Sequence, residues 1–139
     1  MSTPIGVGGL STRHMGPMPR LFGLMKATAT FLAVAILLQG FSAGRLLAGE
    51  EDGRKAHEAL ALVIVVALLV QIVAAIVVLR GGGPKGFLVT GLVLLALTVA
   101  QVALGQNGEI AAHVPLGVAV SCAVAILAYK AWTWRPAQR

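Results

Sequence analysis

Residues 56–79 read AHEALALVIVVALLVQIVAAIVVL, an almost unbroken apolar run interrupted only by a histidine, a glutamate and a glutamine. An α-helix of about 20 apolar residues is long enough to cross the hydrocarbon core of a bilayer, which is about 30 Å thick. Lipid offers the backbone no hydrogen-bond partners, so a run of this kind must be helical where it crosses. The stretch therefore predicts a transmembrane helix.

Three more stretches have the same character, at residues 27–47, 86–105 and 114–134. The 139-residue chain is 58% hydrophobic and only 12% charged, whereas a soluble domain is about a quarter charged. We therefore predict an all-α membrane protein, a four-transmembrane-helix bundle over residues 21–139 in contact with the lipid bilayer. The net charge of +6 flanks the apolar runs and forms no aromatic-interleaved stripe, so no nucleic acid partner is expected.

Residues 1–20 are rich in glycine, proline, serine and methionine and show no periodicity. This composition predicts a flexible tail. The apolar run at 27–47 is too long for the core of a signal peptide and has Arg45 near its end, so we expect it to be a retained helix.

The basic residues predict the orientation. One side of the predicted bundle carries Arg13, Arg20, Lys26, Arg80, Lys85, Lys130, Arg135 and Arg139. The other side carries only Arg45, Arg54 and Lys55, together with all five acidic residues. The positive-inside rule then places both termini in the cytoplasm. We expect a multi-pass protein of a bacterial-type inner (plasma) membrane with a cytoplasmic N-terminal tail.

The two halves of the chain resemble each other. Helix 1 ends with QGFSAG at residues 39–44, and helix 3 ends with QVALG at residues 101–105. After an outer loop follow HEALALV at 57–63 and HVPLGVA at 113–119, both of the form His-x-x-Leu-small-apolar-apolar. This predicts a weak two-fold internal repeat that relates helices 1–2 to helices 3–4 about an axis along the membrane normal.

The repeat predicts that two histidines lie at matched depth. His57 and His113 each stand at the outer start of a helix, and helices 2 and 4 run in the same direction. Counted inward, the helices end at Leu79 and Trp134, at nearly equal separations from the two histidines. Ionisable residues within a membrane often mark functional sites. We expect the two imidazoles to share a ligand, the alternative being that each hydrogen-bonds headgroups or loop carbonyls.

Small residues near the histidines predict room for a flat ligand. Residues four apart share a helix face, so Ala61 and Gly117 lie one turn below His57 and His113. Gly40, Gly44 and Gly105 are expected to thin the neighbouring helices at a similar level.

The number of available ligands favours heme over zinc. Zinc usually takes three or four ligands, and Glu58 should point about 100° away from His57 on its helix. Heme needs two axial ligands and an apolar slot, which the core of a four-helix bundle supplies. We therefore predict heme b with His57 and His113 as metal ligands. Arg45 stands at the outer rim, where it would meet either heme propionates or lipid headgroups.

This arrangement resembles the four-helix bis-histidine membrane heme proteins, either one half of heme A synthase or a small b-type cytochrome. The resemblance covers residues 27–134 and rests on His57, His113, Gln39, Gln101 and the nearby glycines. It departs from heme A synthase, whose halves typically carry a glutamate shortly before the first histidine, since Arg54 stands three residues ahead of it here. The first outer loop also lacks cysteines, and the chain is half as long. The resemblance implies heme binding by two histidines and does not imply heme modification.

Three functions are compatible with these features. Bis-histidine ligation fills both axial positions and favours electron transfer over oxygen chemistry, so the first is an electron carrier rather than an enzyme, with quinol or other membrane redox subunits as partners. The second is a cofactor-free accessory or assembly subunit within a larger homo- or hetero-oligomer, such as a respiratory membrane complex. A small proton-coupled exporter ranks last, because no Asp or Glu lies deep in any predicted helix.

Overall fold

The computed structural model describes residues 18–136 and contains four α-helices in that range. They are α1 (Phe22–Leu47), α2 (Gly53–Arg80), α3 (Gly86–Gln106) and α4 (Ile110–Thr133). Each helix is long and apolar enough to cross a membrane, and the described part of the chain contains no strand. The predicted all-helical, multi-pass membrane fold is confirmed at this level. Residues 1–17 and 137–139, which include His14 and most of the predicted tail, lie outside the described residues.

Helices α1 and α4 begin earlier than predicted, at Phe22 and Ile110 rather than at residues 27 and 114. Lys26 is the fifth residue of α1, and its ammonium lies 5.3 Å from the ring centre of Phe22 and 5.0 Å from that of Trp132. Attraction between a cation and aromatic faces stabilises a lysine near the end of an apolar helix. The predicted start at residue 27 was too late because the apolar run was counted only from the residue after Lys26.

Pro115 lies inside α4 rather than in its first turn. The sequence predicted a helix that starts at about residue 114, which would have made this proline a first-turn residue. Because proline has no N–H, the carbonyl of Ala111 lacks its usual donor four residues on. The helix nevertheless continues through this position to Thr133.

The four helices form a ring. Each helix packs on its neighbours in chain order, and α1 packs on α4 to complete the ring. The diagonal pairs, α1 with α3 and α2 with α4, do not pack directly on each other. The largest fully buried side chains include Met25, Leu32, Leu68, Leu94 and Leu127. Apolar side chains such as Leu37, Phe41 and Val73 are exposed and would contact lipid. The helices that carry the two histidines therefore stand diagonally opposite each other.

The two ends of the bundle differ in charge. The basic end consists of the start of α1, the turn from α2 to α3 and the end of α4, and it carries Arg20, Lys26, Arg80, Lys85, Lys130 and Arg135. The acidic end consists of the loops after α1 and α3 with the adjoining helix ends, and it carries all five acidic residues. Aromatic packing closes the basic end, with the ring centre of Phe22 6.1 Å from that of Phe87 and 4.8 Å from that of Trp134.

Both loops at the acidic end turn in the same way. Gly49 and Gly108 have φ angles of 77° and 75°, a left-handed conformation that favours glycine. The next residue in each loop, Glu50 or Glu109, donates its N–H to a carbonyl five residues earlier. This is the hydrogen bond of a Schellman motif, which satisfies carbonyls at a helix C-terminus. Each loop thus returns the chain sharply into the helix that carries a histidine.

Candidate functional site

His57 and His113 lie together inside the bundle near the acidic end. Their ring centres are 6.1 Å apart and their ring planes meet at 61°. Both side chains are partly buried. The pair spans the space between the diagonal helices α2 and α4, so each imidazole reaches toward the bundle axis. The two residues that the sequence placed at matched depth are thus brought next to each other.

The hydrogen bond of His113 defines its tautomer. Its Nδ1 lies 3.0 Å from the main-chain oxygen of Gln101 on α3. A carbonyl only accepts, so Nδ1 carries the proton and, in a neutral imidazole, Nε2 keeps a lone pair. A Cβ atom at Gly105 would lie 3.1 Å from Cε1 of His113. Glycine at this position lets the ring lie directly against α3 and leaves Nε2 as the nitrogen available to a ligand.

A chain of hydrogen bonds from α1 gives His57 the same tautomer. The Ser42 hydroxyl donates to the carbonyl of Gln39 at 2.9 Å, so toward His57 its oxygen can only accept. It accepts from Nδ1 of His57 at 3.2 Å. The side-chain amide of Gln39 then donates to the lone pair on Nε2 of His57, also at 3.2 Å. These partners assign a proton to Nδ1 and a lone pair to Nε2 in both histidines.

Three buried side-chain oxygens on α1 and α3 are unpaired within residues 18–136. Oε1 of Gln39, Oε1 of Gln101 and Oγ1 of Thr98 are buried and have no hydrogen-bond partner among the described residues. Each such group costs about 1–3 kcal/mol relative to a satisfied one. A Cβ atom at Gly117 would lie 2.7 Å from Nε2 of Gln101. The carboxamide of Gln101 therefore occupies the space beside Gly117 that was predicted to receive a flat ligand.

The other predicted site residues differ in their placement. Ala61 is partly buried one helical turn from His57 on α2, as its spacing predicted. Gly40 and Gly44 are exposed, and a Cβ atom at either would meet nothing within 4 Å. These two glycines therefore face outward, whereas the sequence analysis expected them to thin α1 beside the histidines.

Two ion pairs form at the acidic end. Nε of Arg45 lies 2.5 Å from a carboxylate oxygen of Glu50, and Arg54 lies 3.9 Å from Glu58 on the same helix. Cys122 is a free, exposed thiol. Within residues 18–136, no three histidine, cysteine or acidic side chains are grouped closely enough to hold a metal ion. His57 and His113 therefore form a group of two in this part of the chain, fewer than the three or four ligands that zinc usually takes.

The sequence analysis assigned no role to Ser42 or Thr98. Ser42 is 2% exposed and bonds directly to His57. The spacing in the sequence could have indicated Ser42, because it follows Gln39 by three residues and therefore shares a helix face with it. Thr98 precedes Gln101 on α3 by three residues and shares a helix face with it.

Compared with known proteins, the chain matches no family model, and no curated protein or solved structure is significantly similar to it.

Proposed function

We propose that this chain is a membrane-embedded heme b-binding protein that transfers electrons, with His57 and His113 as the axial ligands of one iron. The observation that carries the proposal is the 6.1 Å separation of the two ring centres. A metal–nitrogen bond is about 2.0–2.1 Å and an imidazole nitrogen lies about 1.1 Å from its ring centre, so two imidazoles on opposite sides of one metal have centres about 6 Å apart. The pair already has that separation.

The tautomers of the two histidines support the same proposal. Both keep a lone pair on Nε2, the nitrogen that would bind iron. Both donate Nδ1–H to the helix that precedes them in the chain, through Ser42 or the carbonyl of Gln101. Second-shell acceptors of this kind fix ring orientation and raise the basicity of the ligand. Heme bound by two histidines supplies a one-electron redox centre without an open axial position.

Two glutamines occupy the space that the cofactor requires. The amide of Gln39 donates to Nε2 of His57, so that hydrogen bond must break when the nitrogen binds iron. The carboxamide of Gln101 fills the gap beside Gly117 and must turn aside. Both carboxamides already have an unpaired oxygen, so the hydrogen bond from Gln39 to His57 is the one that is lost when they turn. The two histidines would hold the iron after that bond breaks, and the macrocycle would lie in the space that the two carboxamides leave.

The orientation and the partners follow from the charges. We place the basic end and both termini in the cytoplasm of a bacterial-type inner membrane, which puts the histidine pair near the outer face. The matching order of glutamine and histidine, Gln39 before His57 and Gln101 before His113, supports the two-fold internal repeat. A heme at this depth would exchange electrons with quinol in the bilayer or with other membrane redox subunits.

A visible spectrum of the purified protein tests the proposal. Protein from heme-replete cells is expected to show a sharp Soret band and an α band that appears on reduction. His57→Ala and His113→Ala are each expected to abolish the six-coordinate low-spin spectrum, because each removes one axial bond. His14→Ala is the matched control and is expected to change nothing. Protein that stays colourless after heme supplementation would contradict the proposal and favour a cofactor-free accessory or assembly subunit.

A further inference from the structure

A cleft of about 270 Å³ lies at the basic end, between the start of α3 and the end of α4. Lys130, which lines the cleft, lies 17 residues after His113 on α4, so the cleft is about 25 Å from the histidines, at the opposite end of the bundle. Its apolar wall includes Phe87, Leu127 and Trp134, and its polar groups belong to Thr90, Lys130 and Thr133. The cleft therefore combines a hydrocarbon surface with a cation at the level where helices leave the membrane.

The positive charge of the cleft is not neutralised by the described part of the chain. Within residues 18–136 both ion pairs, Arg45–Glu50 and Arg54–Glu58, belong to the acidic end. Lys130 lines the cleft, and Lys85 is exposed beside its rim, between two lining residues. No acidic side chain lies at the basic end in this part of the chain. An anion from outside the protein would be attracted here.

Other cations nearby have different contacts. Lys26 lies over the rings of Phe22 and Trp132. The guanidinium of Arg135 donates to the carbonyls of Trp132 and Trp134 at the end of α4. Among the described residues of the basic end, the two ammonium groups without such contacts are those of Lys130, which lines the cleft, and Lys85, which lies between two lining residues.

We propose that this cleft binds an anionic phospholipid, with the phosphate against Lys130 and Lys85 and an acyl chain along Phe87 and Leu127. Charge complementarity selects an anionic headgroup, and the apolar wall selects a lipid over a free phosphate. Basic pockets between transmembrane helices bind such headgroups by this combination. The site shares no residue with the histidine pair, so it does not depend on the proposed cofactor.

Fluorescence of Trp134 tests the proposal, because this side chain lines the cleft. The chain contains two tryptophans, so Trp132→Phe leaves Trp134 as the single reporter. Purified protein in an uncharged maltoside detergent is titrated with short-chain phosphatidylglycerol and, separately, with short-chain phosphatidylcholine. A saturable change in emission is expected at lower concentrations of phosphatidylglycerol. Equal responses to the two lipids would overturn the proposal.

Charge removal then locates the site. Lys130→Met and Lys85→Met are each expected to weaken phosphatidylglycerol binding about fivefold, since a basic residue near the membrane surface contributes about 1 kcal/mol. Arg80→Met is the matched control, because it removes the same charge from the same end but outside the cleft. Native mass spectrometry of retained phosphatidylglycerol provides a second measurement. Equal weakening by Arg80→Met and Lys130→Met would overturn a specific site in favour of a general charge effect.

Discussion

Ser42 is the residue that connects α1 to the chemistry of His57. Its hydroxyl donates to the carbonyl of Gln39 and accepts from Nδ1 of His57. Removing the hydroxyl leaves that N–H without an acceptor and makes the imidazole a weaker electron donor to a bound metal. The hydroxyl therefore acts on the proposed heme through the histidine and is a positioning group.

Ser42→Ala is expected to retain the low-spin spectrum but to raise the heme reduction potential. Loss of one hydrogen bond of about 1 kcal/mol corresponds to about 40 mV for a one-electron couple. Ser42→Thr keeps the hydroxyl and is expected to restore most of the difference. A potentiometric titration of the three proteins measures this. A potential unchanged in Ser42→Ala would show that this hydroxyl does not act on the ligand.

At this scale the sequence predicted which residues meet but not how they bond. The matched depth of His57 and His113 in the bundle follows from their positions along α2 and α4. The structure places their ring centres 6.1 Å apart. The tautomers depend on the torsion of the Ser42 hydroxyl and on a main-chain carbonyl of Gln101, neither of which leaves a pattern in the sequence. Rotamers likewise decide that Gln101 fills the gap beside Gly117.

At the scale of the helices, the close approach of α3 to α4 holds His113 in place. A Cβ atom at Gly105 would lie 3.1 Å from Cε1 of this histidine. Gly105→Val is expected to push the ring away from α3, break its bond to Gln101 and weaken heme binding at least tenfold, as loss of second-shell support does. A heme titration followed in the Soret region measures the affinity.

Gly40→Val is the matched control for that experiment. Gly40 lies on α1 at the acidic end, and a Cβ atom there would meet nothing within 4 Å. This substitution is expected to leave heme affinity unchanged. Equal losses in the two variants would indicate a general effect of valine on these helices rather than displacement of His113.

The ends of the helices were the least predictable part of the fold. The apolar runs established that four helices exist, because the bilayer excludes other backbone structures. The start of α1 depended on the contacts of Lys26 with two aromatic rings. The apolar run placed the start of α4 at residue 114, whereas the helix begins at Ile110 and accommodates Pro115 further in.

At the scale of the whole molecule, the separation of charge between the two ends predicts how the protein sits in its membrane. The positive-inside rule places the basic end in the cytoplasm. A reporter active only in the cytoplasm is expected to work after Arg139 and when inserted at Gly82, in the turn between α2 and α3. The same reporter inserted at Gly53 is expected to be inactive. Activity at Gly53 instead would reverse the orientation and move the histidines to the inner face.

Each histidine is oriented entirely by its own helical hairpin, His57 by α1 and His113 by α3. The chain therefore consists of two half-sites, and a shared iron would link them by binding one histidine from each. Cutting the chain at Gly82 leaves both half-sites intact. Two separately encoded hairpins are expected to reconstitute the low-spin spectrum by complementation when they are produced together, whereas either hairpin alone is not.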